Sequence, residues 1–323
     1  MNPADTPCLI FNPSAQGGKA RRFRSHPALP RGQCVFLATA APGDARRLAA
    51  QAVRDGFQTI IAAGGDGTAN EVLNGIADVP GGFRAVRLGV LPLGTINVFA
   101  RELGLPLHAR RAWKVLALGR ERTLDLGRAD FTLAGVPQRR WFLQLAGAGV
   151  DSRAIELTNW SVKKKIGFLA YVVAGFKALS EKRPLITVRF PATGVGARVE
   201  GGPSAHSADA TTAIGETATG EWVGVGNGRF YGGPIPVFPR ARLDDGLLHI
   251  CVLPKANFLR LAAAVAGLAV GRMHQFSRAR QFTASVLTLA SPARVLLQLD
   301  GENAGELPAT LAVEPRALRV LAP

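Results

Sequence analysis

The stretch Ile60-Ile61-Ala62-Ala63-Gly64-Gly65-Asp66-Gly67-Thr68-Ala69-Asn70-Glu71-Val72 joins an apolar run to a helix-like segment through two glycines, a carboxylate and a third glycine. A strand that turns on glycine into a helix aims backbone N–H groups at phosphate oxygens. Glycine allows close approach and positive φ, which a Cβ hinders. An aspartate in such a loop repels phosphate unless a divalent cation bridges them, so Asp66 points to Mg2+. The competing account is a tight turn followed by a capping box, since Thr68-Ala69-Asn70-Glu71 has the T-x-x-E pattern. The box accounts for Thr68 and Glu71 as helix hardware but leaves Gly64, Gly65, Asp66 and Gly67 unexplained. Phosphate binding is the stronger reading.

A second junction of this kind runs from Leu88–Leu91 through Pro92-Leu93-Gly94-Thr95 into a helix. Asn97 falls in its first turn, and Gly104 with Pro106 closes it. Two strand-glycine-helix turns in one sheet can face the same crevice. Near the end of the chain, Asp300-Gly301-Glu302 follows the strand-like Ala293–Asp300. A carboxylate held on a glycine turn can accept the proton of an alcohol attacking a γ-phosphoryl group. The dipeptide Asp300-Gly301 equally favours a plain type I′ hairpin turn.

The elements that must position these residues change character along the chain. Apolar runs Cys8–Phe11, Cys34–Ala38, Thr59–Ala63 and Arg87–Pro92 read as buried strands. Between the second and third lies a helical pattern, Asp44–Asp55, with Asp44 as N-cap, Leu48, Ala49, Ala52 and Val53 on one face, and Gly56 ending it. The alternation predicts an α/β domain over 1–124 with a parallel sheet and ligands beyond the strands' carboxyl ends. Beyond about Leu124 short strand-like pieces dominate, interrupted by helical patterns near Val162–Ser180 and Asn257–Met273. They predict a second, mostly antiparallel β domain over 125–309, with roughly 310–323 returning to the first. The small, polar stretch Gly201–Gly220 reads as a mobile loop.

Composition narrows the function classes. The 323 residues are 47% hydrophobic, enough for a substantial core. Basic residues exceed acidic ones by 39 to 23, a net charge of +16 that favours anionic partners or reflects an arginine-rich background. No basic run or recognition motif supports specific nucleic-acid binding. Cys8, Cys34 and Cys251 are far apart, which fits a reducing cytoplasm. The five histidines lack metal-ligand spacing. The start lacks a signal-peptide pattern, and no apolar window reaches the roughly 20 residues a membrane-spanning helix needs.

GGDGTANEV followed by LPLGTINVFAREL resembles the catalytic domain of the diacylglycerol kinase family, which includes bacterial lipid kinases and sphingosine kinases. The likeness extends to FNPSAQGG from Phe11, AGAGVDS over Ala146–Ser152, VGNGRFYGGPIPVFPRARLDDGLLHICVL over Val225–Leu253, and LDGENAG over Leu299–Gly305. It covers nearly the whole chain. It implies a fold similar to NAD kinases and phosphofructokinases in the first domain and a β-sandwich in the second. The implied activity is ATP-dependent, Mg2+-assisted phosphorylation of a lipid hydroxyl in the cleft between the domains.

By that resemblance Gly64, Gly65, Asp66, Gly67, Thr68, Asn70 and Glu71 cradle the nucleotide phosphates, and Thr39, Gly94, Thr95 and Asn97 complete the nucleotide site. Asp245 matches an Mg2+ position, helped by the backbone carbonyls of Arg242 and Leu247, with Asp66 as a further ligand. Glu302 matches the general base, with Asp300 beside it. The chain departs from many members at Val98, where they carry an acid, so Asp66, Asp125 or Asp245 would do more of any metal-binding work.

The lipid substrate implies a peripheral partner, an anionic membrane surface. Lys163-Lys164-Lys165 beside the apolar segment Ile166–Phe176 can lie on one, or can be the solvated face of a packed helix. A homodimer is compatible with the pattern. The rivals are an NAD kinase-like enzyme with a soluble substrate and a nucleotide-responsive membrane-binding protein without turnover.

Overall fold

The computed structural model describes residues 2–15, 33–157, 184–191, 198–200, 215–255 and 279–323. The helical patterns near Val162–Ser180 and Asn257–Met273, and Lys163–Lys165, lie outside these residues. So does most of Gly201–Gly220, whose end forms a strand. The chain divides into two compact units: Met1–Leu126 with Gly232–Pro234 and Pro315–Pro323, and Gly127–Tyr231 with Ile235–Glu314.

The first unit contains β1 (Cys8–Phe11), β2 (Val35–Ala38), α1 (Asp44–Arg54), β3 (Thr59–Gly64), α2 (Asp66–Ala77), α3 (Gly82–Ala85), β4 (Arg87–Pro92), α4 (Val98–Glu102) and α5 (Ala109–Leu118). Its strands lie in the order β2-β1-β3-β4, all parallel. The apolar runs have no polar alternation because β1 and β3 are buried along their whole length. Alternate residues Leu9, Phe11, Ile61, Ala63, Leu91 and Leu93 form one core with Ala112 and Leu116 of α5. α1 and α2 pack against each other where Gly75 lies on Arg46; a Cβ there would collide with the Arg46 carbonyl.

Helix α1 departs from the expected detail. Gly43, in the left-handed region at φ 86°, is its N-cap, and Asp44 is its first residue. Its buried positions are Ala45, Ala49, Ala50 and Ala52, whereas Leu48 and Val53 are half-buried. Small side chains let the two helices approach closely.

β5 (Glu121–Leu133) leads into the second unit, which continues with β6 (Val136–Phe142), β7 (Leu145–Gly149), α6 (Val150–Leu157), β8 (Ile186–Arg189), β9 (Arg198–Glu200), β10 (Thr217–Gly220), β11 (Trp222–Gly226), β12 (Leu248–Leu253), β13 (Arg280–Ala284), β14 (Val286–Ala290), β15 (Leu296–Leu299) and β16 (Glu302–Leu321). One run of strands is β16-β15-β7-β11-β12-β13-β9, and a second joins β16 through β14 to β8 and β10. The recorded pairings within this unit are antiparallel. Phe142, Val188, Val225, Ile250, Phe282, Leu289, Leu297 and Leu311 are among the residues of its core, so this is a β-sandwich. The end of β16 belongs to the first unit, where Arg319 and Val320 pair parallel with Arg87 and Leu88 of β4.

Candidate active site

In the first unit the predicted nucleotide residues gather at the carboxyl ends of β1 to β4, where an open parallel sheet offers its ligand position. Thr39 follows β2 and donates its N–H to the Phe11 carbonyl. Asn12, just after β1, donates from Nδ2 to Thr68 Oγ1 (3.0 Å) and accepts the Ser14 N–H at Oδ1 (2.9 Å). No role was read for Asn12 from the sequence.

The two glycine loops are zipped together. The Gly64 carbonyl accepts N–H groups from Leu93 (2.8 Å) and Gly94 (3.1 Å). Asn97, buried and at φ 54°, clamps Gly94 from both sides: its Oδ1 accepts the Gly94 N–H (3.0 Å) and its Nδ2 donates to the Gly94 carbonyl (2.8 Å). A Cβ on Gly94 would lie 2.6 Å from Gly65 Cα, and one on Gly64 would strike the Thr68 side chain. These two glycines are required by packing.

Gly65 is different. Its φ of −96° suits any residue, and an added Cβ would meet only Gly94 Cα at 3.4 Å, an ordinary contact. Nothing in the folded chain demands glycine at that place.

The acids of the first motif serve neighbouring helices. Asp66 Oδ1 accepts the Phe99 N–H (3.2 Å), and the N–H groups of Val98 and Asn97 also stabilise its charge. Asp66 thereby caps α4. Burial nevertheless pushes its carboxyl above the usual carboxylate range, the amides pulling the other way. Glu71 caps α1: Oε1 accepts the Gly43 N–H (3.0 Å) and Oε2 the Ala45 N–H (3.1 Å). The capping box expected at Thr68–Glu71 is therefore not formed. Helix α2 starts at Asp66 with Gly65 as N-cap and no side-chain cap, and Thr68 Oγ1 is taken by Asn12. Asn70 meets Asn74 along the same helix (3.1 Å), and Thr95 is exposed in the second loop. Asp125, the other candidate for metal work, is buried and accepts the Arg316 N–H (2.7 Å), fastening the end of β16.

In the second unit Asp300 and Gly301 form the two-residue connection of the β15–β16 hairpin, with φ of 47° and 89°. Positive φ at both positions is the type I′ geometry the dipeptide favours. The turn presents Glu302, which is exposed, as the first residue of β16. Asp300, named beside Glu302 as a catalytic residue, is held by backbone amides. Its carboxylate accepts N–H groups from Leu143 (2.8 Å), Gln144 (2.9 Å) and Leu145 (3.0 Å).

Asp245 sits in a turn with Gly246 at φ 71°. Oδ2 accepts the Arg242 N–H (3.1 Å) and meets His249 Nε2 (2.9 Å), while Oδ1 accepts the Leu247 N–H (3.0 Å). The three residues assigned to an ion thus share one turn. Among the described residues no group of three or more His, Cys, Asp or Glu could hold a metal ion. A cation here would rest on one hard carboxylate, main-chain carbonyls and water, a donor set suited to Mg2+. Asp245 Oδ1 has a lone pair to spare for it. The three thiols take no part: burial pushes Cys8 and Cys251 up to about 12 and Cys34 up to about 11.

Comparison with known proteins decides the family. Residues 6–129 match the diacylglycerol kinase catalytic domain, and residues 144–322 match the YegS C-terminal NAD kinase beta sandwich-like domain. The chain belongs to the diacylglycerol kinase family. By that membership it is a lipid kinase. A diacylglycerol kinase of Staphylococcus aureus (strain bovine RF122 / ET3-1) is 29% identical over 321 residues, covering 98% of this chain and 91% of the relative. One from strain JH9 is 29% identical over 286 residues, 88% of this chain and 81% of that one. In fold the chain is similar to a crystal structure of a candidate diacylglycerol kinase from Bacillus anthracis str. Sterne, with TM-score 0.73, 22% identity, and 99% and 95% of the two chains covered. A further crystal structure of a diacylglycerol kinase from that organism gives TM-score 0.65 at 20% identity, covering 99% and 97%.

Proposed function

We propose that this kinase transfers the γ-phosphoryl group of ATP to a hydroxyl of a diacylglycerol-like lipid, with Glu302 as general base and Mg2+ assisting. The observation that carries the reading is the division of labour within Asp300-Gly301-Glu302. Three amide donors occupy the Asp300 carboxylate, whereas Glu302 is exposed on the first residue of β16, directly after the turn. Glu302 is the acid of the pair placed to receive a proton.

In the reaction the lipid hydroxyl oxygen bonds to the γ-phosphorus, the bond to the β–γ bridging oxygen breaks, and ADP leaves. The hydroxyl proton passes to the Glu302 carboxylate. Main-chain N–H groups of the Gly65–Thr68 turn position the nucleotide phosphates, with the exposed Thr95 of the second loop beside them. Asp245, with the Arg242 and Leu247 carbonyls, would hold Mg2+, which when bound neutralises phosphate charge.

Because the acceptor is a lipid, the enzyme is proposed to work as a peripheral protein on an anionic cytoplasmic surface. Among the described residues no helix is long and apolar enough to cross a membrane. The described surface that supports docking is α5, which exposes Arg110, Arg111 and Lys114 and carries no acid.

The test is transfer of labelled γ-phosphate from ATP, with Mg2+, to diacylglycerol, sphingoid and phosphatidylglycerol acceptors, with NAD as a soluble control. Transfer to a lipid and not to NAD is the expected result. Glu302→Gln should keep ATP affinity within about twofold and lower turnover by at least about a hundredfold, the upper part of what a positioned base contributes. Normal turnover in that variant would reject Glu302 as the base.

A further inference from the structure

We propose that the tip of the β5–β6 hairpin inserts into a lipid bilayer and carries the apolar part of membrane docking; the proposal rests on the kinase working as a peripheral protein. The hairpin turns on Ala134 and Gly135, with Leu133 paired to Val136 directly behind them. Residues 132–137 are all exposed, and none is charged. Leu133 is 44% and Val136 56% exposed. Apolar residues scattered singly on a surface need no explanation. Here two of them face each other across one turn, with Ala134 and Pro137 beside them.

The residues of the turn suit an apolar setting. Ala134 and Gly135 have φ of 49° and 80°, close to the 47° and 89° of Asp300 and Gly301. A turn of this kind is built most readily from Asn-Gly or Asp-Gly, because the short polar side chains tolerate the left-handed region. Alanine is strained there and offers water nothing. The second unit thus places aspartate in one such turn and alanine in the other, and the alanine completes an apolar cap. Phe131 and Phe142, on the same face of the hairpin as Leu133 and Val136, are buried in the core. The apolar row runs past the end of that core into the open.

Behind the tip lies charge of the sign that an anionic surface attracts. Arg139 is exposed, stands opposite Asp130 and donates to its Oδ1 from Nε (2.6 Å). Arg128 donates to the other oxygen (3.1 Å), so one aspartate is shared by two arginines. The Asp130–Arg139 pair lies three residues back from Leu133 and Val136, or about 10 Å at about 3.4 Å per residue. An apolar element resting in a membrane interface is buried by about 5–10 Å, and at that depth Arg139 comes level with the phosphate groups. A second copy of the chain fits this place less well. Among the described residues β6 pairs only with β5. Its outer edge carries Pro137, Arg139 and Arg140, so an added strand would meet a missing donor and, from an identical copy, like charges.

The test uses the full-length kinase with vesicles of phosphatidylcholine alone and of phosphatidylcholine mixed with phosphatidylglycerol. Leu133→Thr and Val136→Thr together keep residues that suit a strand and remove the apolar tip. The double variant should bind both kinds of vesicle about ten- to a hundredfold more weakly, because the lost contribution does not depend on lipid charge. Its melting temperature and its turnover of a short-chain soluble diacylglycerol should match the parent. Loss of the α5 cations, by contrast, should affect anionic vesicles alone. Leu133→Trp should bind at least as tightly as the parent, and lipid brominated in its acyl chains should quench the fluorescence this residue adds. Unchanged vesicle binding by the double variant, or added fluorescence that brominated lipid leaves unquenched, overturns the proposal. So does a double variant that loses self-association in sedimentation while binding vesicles normally, which would assign the tip to a second copy. Should the double variant melt lower, Leu133→Trp decides alone. A parent kinase that phosphorylates soluble diacylglycerol but binds neither kind of vesicle would bring down peripheral docking, and this inference with it.

Discussion

At the scale of single residues, Gly65 separates a fold requirement from a ligand requirement. Gly94 is glycine because the two loops touch backbone to backbone there, and Gly64 because a Cβ would run into the Thr68 side chain at the start of α2. Gly65 has ordinary dihedrals and room for a methyl group, so its bareness answers to something outside the chain. Phosphate oxygens approaching main-chain N–H groups are that something under the proposed function. Gly65→Ala should therefore leave the melting temperature unchanged within about 2 °C and raise the KM for ATP about tenfold or more. Gly94→Ala should lower the melting temperature clearly, since a contact near 2.6 Å must be relieved by moving one loop. Equal thermal losses in the two variants, with no selective effect on ATP, would remove the argument for Gly65.

Elements are tied to one another by carboxylates placed at helix starts. Glu71 serves α1, Asp66 serves α4, and Asp44 closes the approach to α1 by accepting the Ala40 (2.8 Å) and Ala41 (3.1 Å) N–H groups at Oδ2. Those two amides, with Arg47 assisting against a smaller burial effect, hold the Asp44 carboxyl below the usual range. A depressed acid stabilises the folded state above its ordinary value near 4 and loses that contribution as pH falls through its folded pKa. Asp44→Ala should accordingly melt below the parent at pH 7. The difference should shrink toward zero as the pH is lowered from about 4, which scanning calorimetry in a pH series reads directly. A gap that stays constant down to pH 3 would deny Asp44 this role. The T-x-x-E reading failed at this scale for a related reason. A capping box is a local pattern, but Glu71 found better-placed donors in residues 43 and 45, which sequence spacing does not reveal. By contrast the type I′ turn at Asp300-Gly301 was legible, because two adjacent residues with positive φ suffice to specify it.

For the whole molecule, apolar runs set between helical patterns were enough to predict a parallel α/β unit and a second, mostly antiparallel β domain, since burial on both faces or on one face writes itself into each strand, while the sandwich arrangement came from the family resemblance. The partners of Asp66, Asp125 and Asp300 lie 33, 191 and about 156 residues away, and no periodicity carries that information. The excess of 39 basic over 23 acidic residues was read without knowing where it matters. On α5, Arg110, Arg111 and Lys114 lie at i,i+3 and i,i+4 spacings with no acid in the helix, an arrangement that like-charge repulsion disfavours unless anions lie nearby. Leu118 at its end is 72% exposed, adding an apolar contact to the cationic face. If this face meets the bilayer, each cation contributes about 1 kcal/mol on an anionic surface. The combined variant Arg110→Ala, Arg111→Ala, Lys114→Ala should then bind phosphatidylglycerol-containing vesicles on the order of a hundredfold more weakly. Its binding to neutral phosphatidylcholine vesicles and its turnover of a short-chain soluble diacylglycerol should be unchanged. Undiminished binding of the triple variant to anionic vesicles at low salt would place the docking surface elsewhere on the protein.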